Sequence, residues 1–333
     1  MVLERHSPAS GATVVAAGML APVGELSFGE QELLKLNLES AEMFPGFVAE
    51  LEEATGIATG LDRCGALHVA LDRDEAEQLR HRHRLQTELG LEAEWLTPRQ
   101  CRELEPGLAP SNAGGVHVPG EASVDPRAFC AALLGGLEQQ GAEVRSNAKV
   151  VEALISDGRI EGVRLDSGEE LRAANVVLAS GAWAGALEWL PEAARPPVRP
   201  VKGQIVALRG PAEDPVCDRI VASERVYVVP RPDGRLIVGA TVEERGFDTT
   251  VTAGGVHELL REAYRLLPDI AELELLETGA GVRPATPDNL PLIGPGSIEG
   301  LVLATGHYRN GVLLAPLTAD RVAATLAGTG VGV

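Results

Sequence analysis

The sequence predicts a mixed α/β fold whose parts are interleaved along the chain, and three observations carry that reading. Residues 174–179, Ala-Asn-Val-Val-Leu-Ala, form a largely apolar run ending in Ser180-Gly181, the pattern of a parallel-sheet strand buried on both faces. Short strand patterns separated by turn signals fill 144–172 and 198–239, whereas helical periodicity governs 31–55 and the stretch near the C-terminus. No compositional break divides the 333 residues, so two structural units would have to exchange segments.

Each element follows from local pattern. The first clear helix spans 31–55, with Leu33, Leu34, Leu38, Phe44, Val48 and Leu51 at mostly helical spacing; Pro45-Gly46 is expected to kink or split it. A strand at 66–71 follows. Asp72 then opens a very polar helix carrying Leu79, Leu85 and Leu89, closed by Gly90. His81 and His83 on it face different directions and read as solvated. Thr97-Pro98 pairs an N-cap residue with a first-position proline and predicts a short helix over 99–105. Asp125-Pro126 starts another by the same logic, with Phe129, Leu133, Leu134 and Leu137 recurring helically up to Gly141.

Strands at 144–145, 150–155, 160–165 and 170–172 are separated by Asp157-Gly158 and Asp166-Ser167-Gly168. The centre supplies strands at 203–208, 225–229 and 235–238, the last two paired through Pro232-Asp233-Gly234. A helix over 257–267 stops at Pro268. A strand at 300–304 leads through a glycine-containing loop into a final helix from about Val312 to Leu326.

Composition excludes several classes. With 29 Lys+Arg against 48 Asp+Glu the net charge is −19, which argues against nucleic acid or an anionic membrane as partner. No run of 18 apolar residues is present to span a membrane. Arg5-His6 before the Ala- and Gly-rich stretch 12–20 has the outline of a signal peptide, but Glu4 lies in the would-be basic segment. Cys64, Cys101, Cys130 and Cys217 form no CxxC pair and have no histidine at ligand spacing. A reduced, cytoplasmic compartment is therefore expected, with no metal site.

Three clusters are candidates for chemistry. Glu4 ends a short strand and precedes the small residues Gly11-Ala12-Thr13 and Ala16-Ala17-Gly18-Met19-Leu20. An acid there can receive ribose hydroxyls, and small residues let a backbone approach a flat cofactor, although an exposed acid beside a flexible loop gives the same pattern. Arg283 lies among glycines and prolines in 279–288, where a stiff turn would suit bidentate carboxylate binding and a surface arginine is the plainer alternative. Gly306-His307-Tyr308-Arg309-Asn310-Gly311 leads into the final helix. Backbone N–H groups at such a start stabilise an anionic oxygen or ring. His307 there suits packing or hydrogen bonding better than the role of a base.

The clusters together resemble the D-amino-acid oxidase-like flavoproteins, and within them the glycine oxidases of bacterial thiamine biosynthesis. The resemblance rests on Ala-Ala-Gly-Met-Leu-Ala-Pro (16–22), Val-Val-Leu-Ala-Ser-Gly-Ala-Trp (176–183), Pro-Val-Lys-Gly-Gln (200–204) and Tyr-Val-Val-Pro-Arg (227–231). Val-Gly-Ala-Thr (238–241), Arg-Pro-Ala-Thr-Pro-Asp-Asn-Leu-Pro-Leu-Ile-Gly (283–294) and Gly-His-Tyr-Arg-Asn-Gly-Val-Leu-Leu-Ala-Pro (306–316) complete it, in order, over nearly the whole chain.

The resemblance implies an FAD-binding Rossmann-like domain made of 1–57, 119–197 and 281–333, interleaved with an antiparallel-sheet substrate domain made of 58–118 and 198–280. Members of the family open with a strand, GxGxxG and a helix. No GxGxxG occurs in this sequence, so the domain is expected to lack its first β–α unit, through a misplaced start or a truncation. FAD would be bound by Glu4 and Arg5 at the ribose, by Ala12, Thr13, Ala17, Gly18 and Met19 along the pyrophosphate and flavin, and by the Val150 backbone at the adenine. His307, Tyr308, Arg309, Asn310, Gly311, Val312 and Leu313 would contact the isoalloxazine. Arg283 and Tyr227 would anchor the substrate carboxylate, with Arg309 a second contact and Met19 restricting the pocket.

The implied reaction is hydride transfer from a small amino acid with no obligatory side-chain acid or base, reoxidation by oxygen, and release of imine or glyoxylate, ammonia and peroxide. A homo-oligomer and a thiazole-forming partner enzyme are further expectations. The alternatives are a sarcosine oxidase, a D-amino-acid dehydrogenase, or an inactive remnant.

Overall fold

Three helices start where capping chemistry puts them. Thr97 Oγ1 accepts the Gln100 N–H while the Gln100 side chain accepts from the Thr97 N–H, a reciprocal box with Pro98 in the first turn. Asp72 and Asp125 cap their helices by accepting two backbone N–H groups each. The structure, a computed structural model, describes residues 1–328; residues 329–333 of the expected cofactor domain lie outside the described residues.

In chain order the elements are β1 (Val2–Leu3), β2 (Met19–Leu20), α1 (Gln31–Thr55), β3 (Ala66–Val69), α2 (Arg73–Glu88), β4 (Glu94–Leu96), α3 (Pro98–Leu104), β5 (Gly115–Val118), β6 (Ala122–Ser123) and α4 (Pro126–Gln139). There follow β7 (Val144–Arg145), β8 (Val150–Ser156), β9 (Arg159–Leu165), β10 (Glu170–Arg172), β11 (Val176–Leu178), β12 (Arg199–Arg209), β13 (Ile220–Ala222), β14 (Tyr227–Pro230) and β15 (Arg235–Gly239). The chain continues through α5 (Ala253–Leu266), β16 (Glu274–Ala285), β17 (Leu292–Pro295), β18 (Leu301–Thr305) and α6 (Ala315–Leu326).

An eight-stranded sheet of order β16-β12-β15-β14-β13-β3-β5-β4 is the largest layer. Its neighbours are antiparallel except β13 and β3, which run parallel and join two segments far apart in the chain. Alternation divides its faces. Val206, Leu208, Val228, Leu236 and Val238 pack on Leu259, Ala263 and Leu266 of α5, each large side chain stabilising by roughly 1.5–3 kcal/mol relative to exposure. Ile205, Ala207, Val229 and Ile237 point the other way, against Ala17, Val15 and Met19.

Smaller sheets carry the remaining strands. β1 pairs parallel with β7, β11 pairs parallel with β18, and β8, β9 and β10 form a meander. β2 pairs with β6 and so ties Met19 to Ser123. Among the described residues, no helix is long and apolar enough to cross a membrane. Cys101 and Cys217 are buried, Cys64 and Cys130 half-buried, and all four are free.

Several expectations are corrected. α1 is not split at Pro45-Gly46 but is one helix that carries Pro45 internally; Phe44 and Val48 on either side of it are buried with Phe129 of α4, which holds the helix together across the missing N–H. β11 is parallel as expected but is not buried on both faces: it lies at a sheet edge, and Val177 is 39% exposed. Arg283 lies inside the twelve-residue strand β16, not on a turn. Pro284 is tolerated there because β16 is an edge strand, opposite Pro200. α6 begins at Ala315 rather than Val312, since Pro316 belongs in a first helical turn. His83 is not simply solvated: its Nε2 meets the Ala93 carbonyl oxygen at 3.2 Å.

Candidate functional site

The strands of the large sheet place two anchors on the face turned away from α5. Tyr227 pairs across β14–β15 with Gly239, and a Cβ there would collide with the Tyr227 hydroxyl. Gly203, one pleat along β12 from the partner of Arg283, would with any side chain collide with the Arg283 guanidinium. Each anchor therefore lies flat across a glycine, which is what a lone glycine inside a strand often marks. Arg283 Nη1 donates to the Thr241 carbonyl at 3.1 Å. Burial pushes the Tyr227 hydroxyl's pKa up, and the Arg283 guanidinium beside it partly opposes the rise.

Two further charged groups complete the cluster. Arg309 Nη2 donates to the Glu25 carbonyl at 3.1 Å, to Ser27 Oγ at 3.2 Å and to Glu30 Oε2 at 2.9 Å. The Glu25 carboxylate lies 3.8 Å from Arg309 Nε. Burial raises the pKa of that carboxyl and Glu121 adds to the rise, while Arg309, His68 and Arg283 draw it down. Glu25 is thus within electrostatic reach of Arg309, Arg283 and Tyr227.

The small-residue loop adjoins this face. A 3-10 turn, Ala12–Val15, packs over Gly279 and Gly281 of β16, where a Cβ would crowd Ala12 and Val15. Thr13 gives its carbonyl to the Ala16 N–H at 3.1 Å. Ala17 is buried; Gly18 adopts a φ of +69° and any side chain on it would collide with the Val124 carbonyl. Met19 packs in the same apolar cluster as Tyr227. Arg231, 6% exposed, crosses to this loop and donates to the Ala17 carbonyl and to Ser123 Oγ.

Other expected site residues occupy the smaller sheets. Glu4 follows β1, and its Oε1 accepts the His6 N–H at 2.9 Å. The Arg5 guanidinium stacks over Trp183, 5.1 Å from the ring centre, which brings the end of β1 to the segment after β11. Val150 opens β8 opposite Leu165. Residues 307–313 are turns before α6, not its start. The Asn310 N–H is used by the His307 carbonyl, and the Asn310 carbonyl accepts from Leu314. Tyr308 has a φ of 47°, and Gly311 is exposed. Leu313 and Val312 pack with Phe44 and Phe129. His307 Nε2 meets Thr318 Oγ1 at 2.9 Å, and burial lowers its pKa to about 4, so the ring is neutral at pH 7.

Parallel strands ending beside an acid and a small-residue loop, next to a sheet that presents an arginine–tyrosine pair, fit the class of flavin-dependent oxidoreductases, and the family comparison shows it. The chain belongs to the FAD dependent oxidoreductase family, whose model matches residues 1–325. It is similar to the glycine oxidase of Geobacillus kaustophilus, 38% identical over 329 residues that cover 97% of this chain and 85% of that protein. The crystal structure of glycine oxidase from the same organism superposes with a TM-score of 0.91 at 36% identity, covering 99% of this chain and 88% of that one. Similarity also extends to the bifunctional protein ThiO/ThiG of Trichormus variabilis, 37% identical over 325 residues and 97% of this chain. The chain spans about half, 48%, of that relative's length.

FAD is the cofactor of this family, and one polar atom here suits a contact with it. Ser180 Oγ, at the carboxyl end of β11, is buried without a hydrogen bond among the described residues. That is the sheet edge where such cofactors bind, and a polar atom left unpaired there suits a ligand contact. The sequence offers no GxGxxG for the pyrophosphate.

Sequence reasoning missed Glu25, His68 and Glu121, which carry no local sign of burial. It assigned Gly203, Arg231 and Gly239 no role of their own, although they stand inside the motifs of the resemblance; the two glycines could have been singled out from their isolation within strand-forming runs.

Proposed function

We propose that this chain catalyses the FAD-dependent oxidative deamination of glycine or a similar small amino acid, in support of thiazole assembly for thiamine. The observation that carries the reading is the Tyr227–Arg283 pair laid across Gly239 and Gly203 beside Met19. Arg283 and Tyr227 hold the substrate carboxylate by charge-assisted hydrogen bonds and so orient its α-carbon. Arg309 is the second polar contact, and Met19 limits the side chain the pocket admits. Glu4, Arg5, Ala12, Thr13, Ala17, Gly18, Met19, Val150 and residues 307–313 would hold FAD.

FAD, when bound, supplies the two-electron acceptor and delivers the electrons to oxygen, giving hydrogen peroxide. No side chain is needed as acid or base once the amine is neutral, and His307 is engaged with Thr318. The imine product hydrolyses to glyoxylate and ammonia. The cofactor domain would comprise 1–57, 119–197 and 281–333, and the substrate domain 58–118 and 198–280, in a homo-oligomer.

The test is the visible spectrum of the purified protein after incubation with FAD, joined to peroxide release with glycine, sarcosine and D-alanine. Bound flavin and glycine-dependent peroxide are expected. A flavin-loaded protein that reduces a dye but not oxygen would be a dehydrogenase, and a protein that takes up no flavin would reject the reading.

A further inference from the structure

The segment leading into Glu25 is gripped from behind at successive peptide groups. Gln86 Nε2 donates to the Val23 carbonyl at 2.9 Å, and Arg82 Nη1, one turn earlier on α2, donates to the Gly24 carbonyl at 3.2 Å. The Gly24 N–H donates to Glu121 Oε1, whose side chain is 1% exposed. Glu121 Oε2 faces His68 Nε2 at 3.6 Å, and neither atom has a hydrogen bond among the described residues. The loop is pressed so closely on this pair that a Cβ on Gly24 would collide with the His68 ring.

Burying a carboxylate against an imidazole is costly, and such a pair persists where it fixes something. What it fixes here is the Val23–Gly24 peptide. The Gly24 carbonyl that follows is held by Arg82, and the Glu25 carbonyl after that receives the Arg309 guanidinium.

We infer that Glu121, braced by His68, is a positioning residue for Arg309: it fixes the Val23–Gly24 peptide, from which the backbone runs into the Glu25 carbonyl that aims the second carboxylate contact. This rests on the proposed oxidase reading for its effect on substrate, but not for its effect on the loop. Arg82 and Gln86 brace the same backbone from α2, so the polar helix of the substrate side acts on the site through main-chain groups. A misaligned loop turns Arg309 away and weakens substrate binding, while hydride transfer from substrate already bound is little changed.

The experiment compares Glu121→Leu with Glu121→Gln, which keeps an acceptor for the Gly24 N–H. In the flavin-loaded protein, Glu121→Leu raises the glycine KM about tenfold with kcat within about threefold, and Glu121→Gln recovers most of the difference. In the flavin-free protein, hydrogen exchange over 20–27 speeds up by about tenfold in Glu121→Leu and stays slow in Glu121→Gln. If the unaltered protein oxidises no small amino acid, the oxidase reading fails and the exchange arm alone decides the positioning role. Unchanged exchange in folded Glu121→Leu overturns the inference, as does an unchanged KM. Should Glu121→Leu not fold, Gln86→Leu on α2 takes its place: faster exchange over 20–27 with a raised KM supports the inference, and no change in either overturns it.

Discussion

The two faces of the eight-stranded sheet are built from alternate residues of the same strands, yet they do different work. On the α5 side, Val206, Leu208, Val228, Leu236 and Val238 fill an apolar layer with helix side chains. On the other side, glycines open the strand surface and long polar side chains lie in the gaps. Period-two alternation lets one set of strands hold a dense core and a recessed polar site without either compromising the other. The face that stabilises the protein and the face proposed to bind substrate should therefore be separable by substitution.

The largest expected effect breaks the apolar face alone. Leu266, fully buried on α5, should cost about 3 kcal/mol as Leu266→Ala, read by urea unfolding, with the glycine KM of the remaining folded protein unchanged. The converse, Arg283→Ala, should raise the glycine KM about 100-fold through loss of a charge-assisted contact, with little change in the unfolding midpoint. If each variant moved both properties, the division between the faces would be false.

A third prediction concerns a group that belongs to neither face. His307 is held neutral in the fold, with its pKa lowered to about 4 against an ordinary 6.5. Its protonation favours the unfolded chain. The contribution is fully present above pH 6.5 and is lost as pH falls towards 4. Unfolding free energy should drop by about 2 kcal/mol from this group between pH 7 and pH 5, and His307→Asn should remove that part of the slope. The smallest effect sharpens the comparison at one atom: Gly239→Ala should displace Tyr227 and raise the glycine KM about tenfold, which steady-state kinetics reads directly.

Legibility followed physical locality. Thr97-Pro98 and Asp125-Pro126 located α3 and α4 because capping is settled within four residues. Arg283 misled because glycine and proline at 279–288 mimic a turn, whereas Gly279 and Gly281 serve the close approach of Ala12 and Val15 to a strand. α6 was placed early although Pro316 marked its first turn. The parallel contact of β13 with β3 joins distant segments and left no local trace. Tyr227 shares an apolar cluster with Met19 and lies beside Arg283, but the carboxylate of Glu25 near that pair and the His68–Glu121 brace were invisible, since nothing in a polar residue's neighbours announces its burial.

Arg231 gives the sheet one more property. Tyr227 stands at the start of β14 and Arg231 just past its end, with the guanidinium fastened to the Ala17 carbonyl. Four residues of extended chain make a gauge of roughly 13 Å, one jaw on the proposed substrate anchor and the other on the loop proposed to line the flavin. Because an extended strand hardly stretches, the spacing between Tyr227 and that loop is set by covalent geometry, and under the proposed function so would be the separation of electron donor and acceptor.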